Sequence, residues 1–286
     1  MRKFTRLLFI SIVTFCLLGL KRVTEERVVQ PSIKDVVLIH GFSNRHEWGE
    51  EFLAALAKRV RRLIVVYISE EEGKVRERLV RGQKVFYIGR NTYRAGIQSI
   101  KRQGELIGKR LDKLKSEGIV SAGYYLVGHS TGGVLARKVV YERPNEVAGV
   151  VAIAAPHQGT PLIQDYAWLA RVMVASTLPA EFTPQAMSTF NQRYPAIGSP
   201  FYTEQGKVCT ITGKAQSWLS RGWNGEVAAG KAFLRLKYGT ASDGVVPEKA
   251  ALLYGAKNIA TFKRLDHLEL IESEQVAQAV TSAIAG

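Results

Sequence analysis

Tyr124-Tyr-Leu-Val-Gly-His-Ser-Thr-Gly-Gly-Val-Leu-Ala136 is the stretch that decides the fold. Its centre, Gly128-His129-Ser130-Thr131-Gly132, has the Gly-x-Ser-x-Gly spacing of a nucleophile elbow. The spacing alone is a weak signal in a chain with 26 glycines. Its surroundings raise it. An apolar, β-branched and aromatic run, Ala122–Val127, predicts a strand leading in, and Gly132–Glu142 predicts a helix leading out. A strand that turns sharply into a helix holds its turn residue in a strained backbone. Glycines two positions either side let neighbouring chain pass close by. Ser130 in such a turn is a candidate nucleophile.

Working outward, strand and helix patterns alternate. Asp35–His40 is a short apolar run, as a strand buried on both faces requires. Helical spacing follows over Trp48–Val60, then strand patterns at Arg62–Ile68 and, within the charged stretch 69–94, Val85–Ile88. Ile97–Leu114 is an amphipathic helix and Val147–Ala154 a strand. Lys207–Thr212, Phe233–Tyr238 and Asn258–Phe262 are expected strands, and Leu270–Ile284 is the closing helix. Such alternation predicts a parallel sheet with helices on both faces.

A serine hydroxyl needs a base, and the base needs an orienting carboxylate. Of five histidines, His157 and His267 follow Ser130. In this arrangement the chain order is Ser, acid, His. His157 comes too early for that order and is expected to shape the loop beside the site. His267, after a short strand and before the last helix, suits the base. Asp165, Asp243 and Asp266 lie between nucleophile and base, with several glutamates. Asp266 adjoins the histidine and cannot easily bond its ring, and Asp165 lies in an apolar insertion. Asp243, in the turn Ser242-Asp-Gly-Val-Val-Pro247, is the best candidate. A developing oxyanion needs two donors. Thr131 N–H, just after the nucleophile, is one. Phe42 N–H, in the loop after the first strand, is the expected second, with His40 as a loop organiser.

The chain resembles the bacterial lipase and esterase branch of the α/β-hydrolase superfamily. Five motifs carry the resemblance in order: Val-Leu-Ile-His-Gly-Phe (37–42), Gly-His-Ser-Thr-Gly-Gly (128–133), Ala-Pro-His-Gln-Gly-Thr-Pro (155–161), Ser-Asp-Gly-Val-Val-Pro (242–247) and Asp-His-Leu-Glu (266–269). Thr189-Phe-Asn-Gln-Arg-Tyr-Pro195 is similar to a segment that follows the lid in secreted triacylglycerol lipases. The resemblance runs from about Lys34 to the C-terminus. It implies an α/β-hydrolase fold, a mostly parallel central sheet with helices on both faces and a helical lid insertion. It also implies the roles already derived, with Gly128, His129 and Gly132 completing the elbow. The insertion at about 161–206 falls where the family has its lid, and its apolar Tyr166, Trp168 and Leu169 are expected to line the acyl pocket. No cofactor is expected. The second aspartate of a structural calcium site and the paired cysteines of some secreted relatives are missing.

Composition bounds the rest. With 286 residues and 46% hydrophobic content, the chain can bury one large core. A net charge of +15 favours anionic surfaces, so an anionic membrane surface is a candidate partner. No zinc-finger, recognition-helix or RNA-binding motif is present, and nucleic acid is not expected. Arg2, Lys3 and Arg6 precede the apolar run Leu7–Leu20, which Lys21 and Arg22 close. Residues 1–22 therefore read as an export signal or an uncleaved anchor, directing the protein to the cell envelope or outside. Residues 23–33 read as a linker and 34–286 as the hydrolase domain. Cys16 and Cys209 exclude a disulfide framework. The expected activity is cleavage of small or lipid carboxylic esters through an acyl-enzyme on Ser130. The alternatives are an acyltransferase or thioesterase with the same triad, or a non-catalytic envelope protein that binds lipid or a partner.

Overall fold

In the computed structural model, residues 34–42, 47–92, 94–163, 165, 176, 178–197, 208–215 and 225–285 are described. Eight strands form one sheet: β1 (Asp35–Ile39), β2 (Arg62–Val66), β3 (Arg76–Val80), β4 (Gln83–Ile88), β5 (Tyr124–His129), β6 (Val147–Ile153), β7 (Val208–Gly213) and β8 (Lys257–Phe262). Their order is β3-β4-β2-β1-β5-β6-β7-β8. Every pairing is parallel except the edge hairpin β3–β4. The described helices are α1 (Glu50–Ala57), α2 (Ile100–Ser116), α3 (Thr131–Glu142), α4 (Pro184–Arg193), α5 (Gly225–Tyr238) and α6 (Glu274–Ala285).

The sheet is covered on both faces because its strands are apolar on both. Val37 and Ile39 of β1 and Ile64 and Val66 of β2 pack with Leu106, Ile107 and Leu111 of α2 and Val134, Leu135 and Val139 of α3. The alternate residues Val36, Leu38, Leu63 and Val65 pack with Phe52 and Leu56 of α1 and Val276 and Val280 of α6. Period-two alternation thus feeds two cores at once. At the start of β1, buried Asp35 accepts from Arg61 Nε at 2.8 Å and from Ser121 N at 3.0 Å. A second bond to Arg61 Nη2 makes the pair bidentate.

Two expectations change. Phe233–Tyr238 is not a strand but the last turns of α5. The apolar-polar alternation of Phe-Leu-Arg-Leu-Lys-Tyr imitates a strand. In a strand, Leu234 and Leu236 would share a face. Instead Leu234 is fully buried and Leu236 is 84% exposed. The preceding Ala228, Ala229, Lys231 and Ala232 are good helix formers, and the helix they favour extends through the segment. The stretch 69–94 also holds more structure than expected. It contains β3 as well as β4, joined by a two-residue turn in which Arg81 (φ 47°) and Gly82 (φ 78°) are both left-handed. Asn-Gly would have announced that turn, but Arg-Gly does not.

Residues 1–33 lie outside the described residues, as do Tyr166, Trp168 and Leu169. Among the described residues, no helix is long and apolar enough to cross a membrane.

Asp35→Ala removes the Arg61 pair and the Ser121 bond together. Arg61 is partly solvated, which limits its share of the loss. The expected destabilisation is about 1–3 kcal/mol, read as a lower midpoint in urea unfolding with unchanged slope.

Candidate active site

The carboxyl ends of β1, β5, β6, β7 and β8 converge on one edge of the sheet, where ligands bind in open α/β folds. Ser130 sits between β5 and α3 with φ 54° and ψ −128°, a conformation that L-residues rarely adopt. Its N–H bonds the carbonyl of Ile153 at 2.9 Å, which ties the turn to β6. The surrounding glycines are there because backbone touches backbone. A Cβ on Gly128 would lie 2.3 Å from Gly132 O, and one on Gly132 would lie 2.3 Å from Ile39 O. On Gly41 it would come within 2.8 Å of Ser130 Cβ. The loop carrying Phe42 therefore lies directly against the serine side chain.

His267 and Asp243 meet. His267 Nδ1 lies 2.7 Å from Asp243 Oδ2, and His267 N donates to Asp243 O at 3.0 Å. Asp243 Oδ1 accepts from the N–H groups of Val245 at 2.9 Å and Val246 at 2.8 Å. Three donors converge on this carboxylate, which is buried beside Gly213 at the end of β7. An acceptor so arranged holds the ring with Nδ1 protonated and leaves Nε2 basic. A bond from Ser130 Oγ to His267 Nε2 is absent among the described residues. In ligand-free sites such bonds are often long and tighten on substrate binding. The Ser130 turn and His267 are nevertheless linked through His129. Its Nε2 lies 2.9 Å from His267 O, and its ring centroid lies 4.5 Å from that of His267.

The other candidate acids have different partners. Asp266 Oδ1 accepts from Leu268 N and Glu269 N, both at 2.9 Å. Glu269 Oε2 in turn accepts from Asp266 N at 2.8 Å. This is a capping box on the 3-10 turn Glu269–Ile271, and it fixes the backbone that follows His267. Asp165 pairs with Lys237 at 2.9 Å and accepts from Tyr238 OH at 2.6 Å, on α5.

His40 organises its loop. Its Nδ1 lies 2.7 Å from Gly41 O, and Nε2 accepts from Ile68 N at 2.9 Å. Acceptance at Nε2 requires a neutral ring, and burial pushes its pKa down to about 4. His157 is completely buried and neither ring nitrogen has a hydrogen-bond partner among the described residues. Burial, aided by the Arg137 charge, holds it well below its usual range. It lies in the loop that follows β6. Asn191 binds that loop to α3: it donates to His157 O at 2.8 Å and accepts from Arg137 at 2.7 Å. The Arg137 guanidinium also lies 4.9 Å over the Phe190 ring. Phe-Asn in the segment 189–195 thus has a packing role.

Sequence reasoning missed Ala154, whose φ of 49° turns the chain after β6. The bend seats Ala155 against Gly133, where an added Cβ would lie 2.6 Å from Ala155 Cβ. No residue type signals it. Among the described residues, no cluster of His, Cys, Asp or Glu could hold a metal ion. Cys209 is buried in β7.

A family model described as palmitoyl protein thioesterase matches residues 35–208. That span runs from β1 to the first residue of β7. Bacillus licheniformis lipase BlEst2 in its mature form is similar in structure, with a TM-score of 0.60 at 18% identity over 89% of this chain and 91% of that one. Phospholipase PlaB from Legionella pneumophila has a TM-score of 0.50 at 15% identity, over 77% of this chain and 44% of that one. At these identities the likeness establishes the fold, which is that of the α/β-hydrolases. No curated protein sequence matches the chain.

His40 gives the fold a pH dependence. The unfolded histidine takes up a proton near pH 6.5, whereas the folded one resists until about 4. Between those values the unfolded state binds more protons, so stability falls as pH falls. Across that window the loss is on the order of 3 kcal/mol. Urea midpoints at pH 7, 5.5 and 4.5 should fall stepwise, and His40→Gln should flatten the trend. Equal slopes in both proteins would contradict the account.

Proposed function

Because the chain belongs to the palmitoyl protein thioesterase family, we propose that it hydrolyses acyl esters and thioesters through an acyl-enzyme on Ser130. The observation that carries this reading is the Asp243–His267 bond of 2.7 Å on the sheet edge that also holds the strained Ser130 turn. In the proposed cycle, His267 Nε2 takes the Ser130 proton as Oγ attacks the acyl carbon. The N–H groups of Phe42 and Thr131 hold the developing oxyanion. His267 then passes its proton to the departing alcohol or thiol, and water repeats the sequence to free the acid. Asp243 keeps the imidazole oriented and stabilises its charged form.

The family match favours a thioester within this range, and the chemistry agrees. A thiol, with a pKa near 8.5, departs as thiolate with little help, whereas an alcohol needs the proton from His267. The export of the chain and its contact with an anionic membrane surface belong to the same proposal. The net charge of +15 supports that contact, as do Lys263 and Arg264, exposed just before the His267 loop.

Ser130→Ala should abolish hydrolysis of p-nitrophenyl esters and of acyl thioesters, and should also abolish labelling by a fluorophosphonate. Asp243→Asn should lower kcat by about 10³–10⁴-fold. Retained turnover in Ser130→Ala would end the assignment. A chain-length series, run on ester and thioester in parallel, ranks the two substrate classes.

A further inference from the structure

His129 is the variable residue of the elbow, one covalent step before the nucleophile. Its side chain does not face solvent: the residue is 5% exposed. Its Nε2 lies 2.9 Å from the carbonyl oxygen of His267. A carbonyl only accepts, so Nε2 carries the proton. The ring is held on both sides. The His267 ring lies 4.5 Å away, tilted by 44°, and the Trp48 ring packs edge-on at 6.2 Å. Trp48 is buried with its indole N–H unpartnered among the described residues, so packing against such neighbours is its contribution.

The His267 loop therefore has two kinds of anchor. Asp243 holds the base through Nδ1 and the backbone N–H, and the capping box of Asp266 and Glu269 holds the turn that follows. These contacts fix His267 relative to its own loop and to the turn after α5. The His129 bond differs in fixing it directly to the end of β5, the strand that carries Ser130. Only one side chain and one hydrogen bond separate the nucleophile's backbone from the base's backbone along this path.

From this geometry we infer that His129 is a positioning residue, which sets the reach of the His267 imidazole toward Ser130. The inference rests on the proposed role of His267 as base. Its physical basis is that a displacement of about 1 Å between reacting groups can slow a reaction by about 10²-fold. His129 acts through the backbone of His267.

The test uses kcat and KM on a soluble p-nitrophenyl ester, with thermal midpoints measured alongside. His129→Phe keeps a ring between Trp48 and His267 but removes the donor. It should lower kcat by about 10–100-fold with KM within about twofold of the parent protein. His129→Gln places an amide N–H where Nε2–H stood, and should restore kcat to within about fivefold of the parent. Wild-type kcat in His129→Phe overturns the inference. So does a His129→Gln protein as slow as His129→Phe, since the ring and not the bond would then matter. Should His129→Phe fail to fold, His129→Asn replaces it. Its shorter amide cannot span to the carbonyl, and it must lose kcat where His129→Gln keeps it. His267→Gln separates the two readings. Full activity in that variant removes His267 as base, whereas an inactive His267→Gln beside an unimpaired His129→Phe overturns only the positioning role.

Discussion

Backbone packed against backbone at Ser130 is the constraint on which the site depends. With φ 54° and ψ −128°, the residue stores on the order of 1–3 kcal/mol of strain. That conformation persists because it is over-determined. The Ser130 N–H is bonded to Ile153 O, and Gly133 N closes the helix start onto Ser130 O at 3.0 Å. Gly132 lies against the carbonyls of Ile39 and His40. β1, β5, β6 and α3 thus meet at a point where no side chain fits. The two apolar layers on either side of the sheet hold those elements together. The strain at one residue is carried by the packing of the whole domain.

Around that point, identical residue types do different work because their partners differ. Asp243 and Asp266 are both buried and both accept backbone N–H groups. Asp243 has a second oxygen aimed at an imidazole, whereas Asp266 is matched by a glutamate that closes a cap. The histidines divide in the same way. His40 accepts from a backbone N–H and is locked neutral. His157 is held well below its usual pKa by burial and, less, by the nearby Arg137 charge. His129 bonds a carbonyl through its Nε2. His267 pairs with a carboxylate. Residue type narrows the roles, and the second partner decides among them.

Much of this was legible in the sequence, for a physical reason. Strands buried on both faces must be continuously apolar, and β1, β2, β5, β6 and β7 announce themselves that way. The elbow glycines are demanded by steric contact, so their spacing is visible. Asp243 was reached by chain order and turn chemistry. Legibility failed where the signal was not local. Leu234 and Leu236 alternate like strand residues, and only their place in the folded chain decides that one is buried and the other bare. Arg81 occupies a left-handed turn position without the side chain that usually marks it. Ala154 bends the chain with a residue that has no preference for doing so. The bond between His129 and the His267 carbonyl spans 138 residues and involves a backbone acceptor, so no residue type at 267 encodes it.

The family match ends at residue 208, before either Asp243 or His267. The proposed nucleophile Ser130, the Phe42 loop and the β6 turn therefore lie inside the matched span, and the proposed acid and base lie beyond it. Joining the two parts falls to contacts that cross this boundary. Ala154 N donates to Ile211 O at 2.8 Å, and Gln158 N to Ala250 O at 3.0 Å. Thr160 Oγ1 donates to Val245 O at 3.0 Å, beside the acid. The sheet pairing of β6 with β7 continues the same seam. None of these involves the side chains of Ser130, Asp243 or His267, yet they tie the segment around Asp243 to the end of β6. All of them end on backbone. The second part can therefore vary in sequence while its geometry against the elbow is kept, provided the glycines and buried aliphatics that allow close approach remain.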